Sequence, residues 1–169
     1  MSTAINEALL DQLVGEAIAL SSRRVREGGI PFAALVANHR GDILGRGVNR
    51  VDEDRDPTAH AEVVAIRDAC RHRRSARLNG TLLIASGEPC ALCYMAALYA
   101  GIGEVVFAAD REQAAQGGFD YRSSYRLLAA DPSAWPIRRH HHHHLGSGEP
   151  FAAWRERQPD TVSAPSVSP

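Results

Sequence analysis

The stretch that begins near residue 80 most constrains the fold, because it alternates short apolar strands with a helical segment. "TLLIAS" predicts a buried strand, "EPCALCYMAALYAG" a helix that Gly101 ends, and "EVVFAA" a second strand. Strands that a helix separates pair in parallel, and the connecting helices cover the faces of the sheet. The sequence therefore predicts an α/β fold with helices on both faces of one sheet.

The first half of the chain predicts a helix, a hairpin and a second helix. Residues 5–27 carry apolar side chains at helical spacing, and Gly28 and Gly29 end the run. "PFAALVAN" and "ILGRGVNRV" flank the turn "HRGD", which predicts two antiparallel strands. The acidic "DEDRDP" predicts a loop, "AHAEVVAIRDAC" a helix after it, and "REQAAQGG" a short helix later in the chain.

The length and composition are those of one ordinary globular domain. With 169 residues, of which 44% are hydrophobic, the chain is long enough to bury a core. We expect residues 1–158 to form a single domain and the Pro/Ser-rich residues 159–169 a disordered tail. The run His140–His144 is either a natural loop or the remnant of an expression tag, so its histidines do not count as a designed metal site.

Charge and the N-terminal pattern exclude several classes of function. A formal net charge of -1 and a pI near 6.7 argue against a broad polyanion-binding surface, so we do not expect a nucleic-acid partner. Asn6, Glu7, Asp11 and Glu16 interrupt the N-terminal apolar residues, as is typical of an amphipathic helix and not of a signal peptide or membrane span. Three cysteines and no export signal predict a cytoplasmic protein whose CxxC pair serves metal or redox chemistry.

Two short fragments carry the chemistry, and each lies at the predicted N-terminus of a helix. "HAE" supplies His60 and Glu62, and "PCALC" supplies Cys90 and Cys93. Residues two apart do not share a helix face, so His60 and Glu62 can meet only beyond the helix end. Residues three apart do share a face, so Cys90 and Cys93 can bind one metal ion from the same helix. A helix N-terminus also favours the thiolate form of cysteine. One imidazole, two thiolates and one carboxylate can therefore converge at the edge of the sheet.

This set of side chains suits Zn²⁺ at a catalytic site. Three protein ligands from cysteine and histidine, with a fourth position open, are typical of catalytic zinc. The remaining cysteine, Cys70, lies ten residues beyond His60 on the same helix. That spacing corresponds to about 15 Å, so Cys70 cannot complete a structural site. Glu62 fits the base that takes a proton from a metal-activated water and returns it to a leaving amine. The predicted reaction is hydrolytic attack on an amidine-like carbon with loss of ammonia.

The two fragments and their surroundings resemble a known family. His-x-Glu followed by Pro-Cys-x-x-Cys is similar to the signature of zinc-dependent deaminases. "GGIPFAALV", "GVNRV", "AHAEVVAIRDAC", "GEPCALCYMAALYAGIGEVVFAA", "AAQGGFDYRSSY" and "EPFAAWR" together resemble the bacterial guanine deaminase branch of the cytidine deaminase superfamily. The resemblance implies a three-layer α/β/α sandwich around a mixed sheet of about five strands. It also implies a homodimer in which the C-terminal part, residues 145–158, crosses to the partner subunit.

The resemblance also implies roles for individual side chains. The implied zinc ligands are His60, Cys90 and Cys93, and the implied proton carrier is Glu62. The implied substrate-binding residues are Asn49, Phe32, Ala61, Asp120 and Tyr121. The amide of Asn49 would read the edge of the base, because an amide both donates and accepts hydrogen bonds, and Phe32 would pack on the heterocycle. A turn residue and a core residue are the structural alternatives for these two positions.

Two features depart from the family pattern. The family motif "GFDD" has a second aspartate that shuttles protons and contacts guanine, whereas this chain reads "GFDY", with Asp120 followed by Tyr121. The family chain tends to end soon after its tryptophan, with an aromatic residue that enters the site. Here the chain continues past Trp154 into a stretch without aromatic residues. Both departures fall on substrate contacts, and the metal ligands are intact.

The sequence therefore predicts a zinc-dependent deaminase of a small heterocyclic base, with guanine or a related purine or pterin as the leading substrate. A pyrimidine, a triazine, a nucleoside and an adenosine within tRNA remain open as alternative substrates. A non-catalytic zinc-binding module that serves dimerisation is the alternative from another class. The open fourth zinc position and the presence of Glu62 argue against that module.

Overall fold

The computed structural model of the chain describes residues 5–157. Its helices and strands are, in chain order, α1 (Glu7–Arg26), β1 (Ala33–Asn38), β2 (Ile43–Val48), α2 (Val51–Asp54), α3 (Ala61–Arg73), β3 (Thr81–Gly87), α4 (Ala91–Tyr99), β4 (Glu104–Ala109), α5 (Arg111–Gln116), α6 (Ser123–Ala129) and α7 (Glu149–Arg157). Two short 3₁₀ segments, Pro132–Ala134 and Leu145–Gly148, precede α7. Within this part of the chain, none of the helices combines the length and the apolar character needed to cross a lipid bilayer.

The strands form one mixed sheet in the order β2-β1-β3-β4. β1 is antiparallel to both β2 and β3, and β3 is parallel to β4, which confirms the predicted hairpin and the predicted parallel pair. The described residues form four strands and not the expected five. After β4 the chain forms the short helix that "REQAAQGG" predicts, and Asp110 and Gln113 form a reciprocal capping box that starts this helix, α5.

Helices cover both faces of the sheet, as the sequence predicts. Successive residues of β1 point to opposite faces. Leu35 and Ala37 pack with Leu13 of α1, whereas Ala34 and Val36 belong to the core beneath α3 and α4. Both sets are almost fully buried. The resulting three-layer α/β/α sandwich holds the N-termini of α3 and α4 on the same side of the sheet.

Two glycines of β2 let α3 lie directly on the sheet. A Cβ atom on Gly47 would lie 2.1 Å from the carbonyl oxygen of Ala61, and one on Gly45 would lie 2.4 Å from that of Ala65. These contacts are with the backbone of α3, which cannot yield as a flexible side chain does. The glycines therefore fix the depth at which α3, and with it the residue at its N-terminus, sits above the sheet.

The acidic segment predicted as a loop contains a short helix, α2, so that prediction was wrong in part. Asp52, Glu53 and Asp54 all occupy its first turn, where the helix dipole favours negative charge. Glu53 pairs with Arg24 of α1, and Asp54 accepts hydrogen bonds from Arg50, the nearer at 2.7 Å. The segment thus has charge partners and a defined path toward α3.

The chain divides into two compact units, residues 1–129 and residues 130–169. The first holds the sheet and its covering helices. In the second, the indole nitrogen of Trp135 donates a 3.0 Å hydrogen bond to the carbonyl of Ala130, and the His140–His144 run is exposed. The single domain over residues 1–158 and the crossing of residues 145–158 stay predictions. The predicted disordered tail, residues 159–169, lies outside the described residues.

Candidate active site

The N-termini of α3 and α4 bring the predicted metal ligands together. His60 occupies the N-cap position of α3, and Cys90 occupies that of α4. Neither side chain caps its own helix, so the imidazole and the thiol turn toward each other. Cys93, in the first turn of α4, adds a buried thiol on the same side. Glu62, in the first turn of α3, reaches the same group through the contact of its carboxylate with Cys93.

The distances among the three ligand atoms fit a tetrahedral zinc ion. The Nδ1 atom of His60 lies 3.5 Å from the sulfur of Cys90 and 3.5 Å from that of Cys93, and the two sulfurs lie 3.7 Å apart. With Zn–S bonds of about 2.3 Å and a Zn–N bond of about 2.0 Å, tetrahedral geometry requires an S···S distance of about 3.8 Å and an S···N distance of about 3.5 Å. The group is thus already spaced as the ligands of one zinc ion, and Cys70 is not part of it.

The two thiols differ in their electrostatic environment. The pKa of Cys90 is lowered to about 4, mainly because Cys93 donates a hydrogen bond to its sulfur and also because His60 lies beside it. The pKa of Cys93 is raised by that same hydrogen bond and by burial. Cysteine binds zinc as the thiolate, so the Cys93 thiol would have to lose its proton when the metal binds.

Glu62 is the carboxylate that faces this ligand group. Its side chain is only 5% exposed, and its Oε2 lies 3.3 Å from the sulfur of Cys93. Burial raises the pKa of Glu62, since a charged carboxylate loses its hydration there. A carboxylate with a raised pKa beside a metal site is suited to accept and return a proton near neutral pH.

A cavity of about 370 Å³ opens beside this group. Its lining includes His60, Cys90 and Glu62, together with all five residues expected to contact substrate: Phe32, Asn49, Ala61, Asp120 and Tyr121. A cavity of this size is within the range of small-molecule sites. Of the predicted site residues, only Cys93 is not part of this lining, and it contacts the group through Cys90 and Glu62.

Aromatic rings line part of the cavity. The ring of Phe32 lies edge-on to that of Phe119, with 5.1 Å between centroids, and 6.2 Å from that of Tyr121. Phe32 also packs against the hydrophobic core, which confirms the structural interpretation, and its contact with a heterocycle stays a prediction. Asn49 lies at the cavity, and its Oδ1 accepts a 3.3 Å hydrogen bond from the amide of Val51. The walls thus offer flat apolar surface and one amide, which suits a planar heterocycle.

Asp120 and Tyr121 use their polar groups within the protein. The guanidinium of Arg122 donates to both carboxylate oxygens of Asp120, at 2.8 and 2.7 Å, and lowers the pKa of Asp120 to about 2. The hydroxyl of Tyr121 donates a 2.6 Å hydrogen bond to the main-chain carbonyl of Glu88. Burial raises the pKa of Tyr121, so its phenol is neutral at physiological pH. Neither side chain supplies the second acid of the family motif.

Sequence reasoning missed five residues that line the cavity: Ile30, Val51, Asp52, Glu88 and Phe119. Glu88 and Phe119 stand inside the quoted motifs "GEPCALC" and "GFDY", so their neighbours were a usable signal. Asp52 belongs to the acidic segment that directly precedes the predicted helix of His60 and Glu62, and this position was the signal that could have indicated it. For Ile30 the sequence offers no signal beyond its position before Phe32.

The family follows from a direct comparison. Residues 8–109 match the family described as the cytidine and deoxycytidylate deaminase zinc-binding region. The match includes the three metal ligands and Glu62. The chain therefore belongs to the cytidine and deoxycytidylate deaminase family, and the group of His60, Cys90 and Cys93 fits the zinc ion of that family.

Among individual relatives, the guanine deaminase of Bacillus subtilis (strain 168) is 36% identical over 140 residues, which cover 82% of this chain and 89% of that protein. Its crystal structure aligns with a TM-score of 0.80 at 33% identity, over 90% of this chain and 95% of that one.

Two further matches are less similar: in one, this chain covers only a small part of the other protein, and in the other, the structures align less closely. A tRNA(Ile)-lysidine synthase from Deinococcus radiodurans is 34% identical over 164 residues, 94% of this chain, but the chain spans only 27% of that protein. A solved structure of a complex with 8-azaguanine is 27% identical, with a TM-score of 0.63 over 75% of this chain and 68% of that one.

Proposed function

We propose that the protein is a zinc-dependent hydrolase that deaminates a small free heterocyclic base, with guanine or a related purine or pterin as its substrate. The observation that carries this proposal is the group of His60, Cys90 and Cys93 at zinc-ligand distances, with the buried Glu62 beside it, at the wall of a heterocycle-sized cavity. Three protein ligands leave a fourth position for water, which distinguishes a catalytic from a structural zinc site.

The chain's own residues perform the binding and the proton transfers. A zinc ion held by His60, Cys90 and Cys93 would act as a Lewis acid that makes a water molecule more acidic and thus a nucleophile at neutral pH. Glu62 accepts the proton that this water loses and delivers it to the leaving amine. Water oxygen forms the new C–O bond, the C–N bond breaks, and the amine leaves as ammonia. The aromatic wall around Phe32 and the amide of Asn49 hold the ring in the plane that this exchange requires.

A small free base fits the site better than a base within a nucleic acid. The cavity of about 370 Å³ has the size of a single small molecule. The net charge of -1 offers no general attraction to phosphate. The similarity to the B. subtilis guanine deaminase extends over nearly all of that protein, and the complex with 8-azaguanine adds a related protein that holds a purine analogue.

Location, assembly and pathway are parts of the same proposal. All three cysteines are free thiols, and two of them are needed reduced as ligands, which supports a cytoplasmic protein. Apolar side chains on α4 and α6 are substantially exposed: Leu92, Leu98, Leu127 and Leu128. Such a surface supports a homodimer. A guanine deaminase activity would place the protein in purine metabolism.

An ammonia-release assay with purified zinc-loaded protein tests the proposal. Guanine, adenine, cytosine, a pterin, a triazine and guanosine would be compared at equal concentration, with chelated protein as the control for contaminating activity. We expect ammonia from guanine or a related purine or pterin and no release after chelation. Release from tRNA anticodon arms but not from any free base would contradict the proposal.

A further inference from the structure

Three hydrogen bonds from one segment hold the main chain on either side of Cys90. The Tyr121 hydroxyl donates to the carbonyl of Glu88 at 2.6 Å. The Tyr125 hydroxyl donates to the carbonyl of Pro89 at 2.6 Å. The Ser124 hydroxyl accepts from the amide of Ala91 at 3.2 Å. The segment Tyr121–Tyr125, which we call the clamp segment, therefore contacts both residues before this zinc ligand and the residue after it.

The contact with Ala91 compensates for a missing helix cap. The first amides of a helix lack partners within the helix, and the N-cap side chain ordinarily accepts one of them. Cys90 occupies the N-cap position of α4 but makes no capping hydrogen bond, because its sulfur faces His60 and Cys93. The hydroxyl of Ser124 accepts the amide hydrogen instead. The sulfur of Cys90 is thereby left to the metal.

An ion pair anchors the same turn from the other side. Glu88 is buried, with 6% of its surface exposed. Its carboxylate accepts hydrogen bonds from the main-chain amide of Arg111 at 2.8 Å and from the Nε atom of Arg111 at 2.9 Å. The guanidinium carbon of Arg111 lies 3.9 Å from the centre of the Tyr125 ring. Arg111 therefore joins Glu88 to the clamp segment, since it pairs with one and stacks on the other.

We propose that Tyr121, Ser124 and Tyr125 are positioning residues that fix the sulfur of Cys90 for zinc binding, and that the Tyr121 phenol serves this role in place of a proton-transferring acid. Ligands that are held in place before the metal arrives lose less conformational freedom on binding, so the metal is bound more tightly. The inference rests on the proposed zinc-dependent function, but it concerns the metal site and not the identity of the substrate.

The test compares variants that remove one hydroxyl each: Tyr121→Phe, Tyr125→Phe and Ser124→Ala. Phenylalanine keeps the ring packing and removes only the donor. Tyr99→Phe is the matched control, because Tyr99 lies at the end of α4 and is 59% exposed. Zinc affinity is measured by competition with a chromogenic chelator, and the Co²⁺-substituted proteins are compared by their visible absorption, which reports the geometry of the thiolate ligands.

We expect each hydroxyl-deletion variant to bind zinc about 10- to 100-fold more weakly and to show an altered cobalt spectrum, while Tyr99→Phe matches the wild type. Ser124→Thr, which keeps the hydroxyl, should recover much of the affinity that Ser124→Ala loses. Thermal unfolding of the metal-free proteins checks that each variant keeps the fold. If one variant does not fold, the zinc affinities of the other two test the inference.

Wild-type affinity and wild-type cobalt spectra in Tyr121→Phe and Ser124→Ala would overturn the inference, as would an equal loss in Tyr99→Phe. These measurements need no substrate. A wild-type protein that binds zinc tightly but releases no ammonia from any base would overturn the proposed function and leave the positioning role standing.

Discussion

At the scale of single residues, the absence of a side chain at Gly47 allows α3 to lie close to the sheet. A methyl group there would lie 2.1 Å from the carbonyl oxygen of Ala61 and 2.4 Å from the amide nitrogen of Ala65. Both are backbone atoms at the start of α3, directly after the zinc ligand His60. The position of that ligand thus depends on a residue that never touches the metal.

Replacement Gly47→Ala is expected to lower the free energy of unfolding, at the upper end of the roughly 1 to 3 kcal/mol that overpacking costs. Urea denaturation measures the change. Gly15→Ala is the matched control, since Gly15 lies in α1 with no atom within 4 Å of the added Cβ. There alanine should stabilise by about 0.5 to 1 kcal/mol, because glycine is a poor helix former. Equal stability of Gly47→Ala and the wild type would contradict this account of β2.

Residue type and spacing were sufficient to predict the metal site. His60, Glu62, Cys90 and Cys93 have distinctive chemistry, and their spacing relative to two helix ends implied convergence. The partners of Glu88 could not be found in this way. Arg111 and Tyr121 lie more than twenty residues away in sequence, and only the parallel pairing of β3 and β4 and the turn after α5 bring them to the same place.

At the scale of secondary-structure elements, zinc is expected to join α3 to α4. His60 occupies the N-cap position of the first helix, and Cys90 and Cys93 lie at the start of the second, so one ion would tie two N-termini that otherwise meet through weak polar contacts of these side chains. The close packing of α3 on the sheet depends on small residues of that helix, namely Ala61, Ala65 and Ala69, all of which are buried.

Removal of zinc should therefore lower the melting temperature. A ligand that binds only the folded state stabilises it by about 2.7 kcal/mol when its free concentration is 100 times its Kd. Thermal unfolding is followed before and after dialysis against a chelator, with the metal content of each sample measured. Restored zinc should restore the transition, whereas magnesium should not. A melting temperature that stays the same in verified metal-free protein would show that the ion does not tie the helices.

The order of helices and strands was predictable where the hydrophobic pattern agrees with turn residues and helix-ending glycines. This holds for the hairpin and for the succession of β3, α4 and β4. Two expectations were wrong. The fifth strand, which the family resemblance implied, is absent from the described residues, whose four strands are those that the hydrophobic pattern predicts. The acidic segment forms α2 because arginines from elsewhere in the fold, such as Arg24, pair with its carboxylates.

At the scale of the whole molecule, the first compact unit contains all the described parts of the zinc site. The sheet, both core clusters, the cavity and the clamp segment lie within residues 1–129. The family match, residues 8–109, falls inside the same range. The prediction that residues of the second unit cover a partner's active site rests on the family resemblance alone.

A chain shortened after Ala129 should therefore fold and bind one zinc ion, because it keeps every ligand and every strand. Cooperative thermal unfolding and the zinc content are the measurements, with the full chain as the control. If residues 145–158 cover a partner's site, the shortened chain should keep its zinc and lose ammonia release. A shortened chain that neither folds cooperatively nor binds zinc would contradict the assignment of the site to the first unit.

The central claim, that this zinc site performs a hydrolytic deamination in which Glu62 carries the proton, is tested most directly by Glu62→Gln. Zinc content and ammonia release would be measured on the same samples, with Glu104→Gln, an exposed change at the start of β4, as the control. We predict one bound zinc in all three proteins and a loss of about 10² to 10⁴ in kcat for Glu62→Gln alone. Unchanged turnover in zinc-loaded Glu62→Gln would contradict the mechanism.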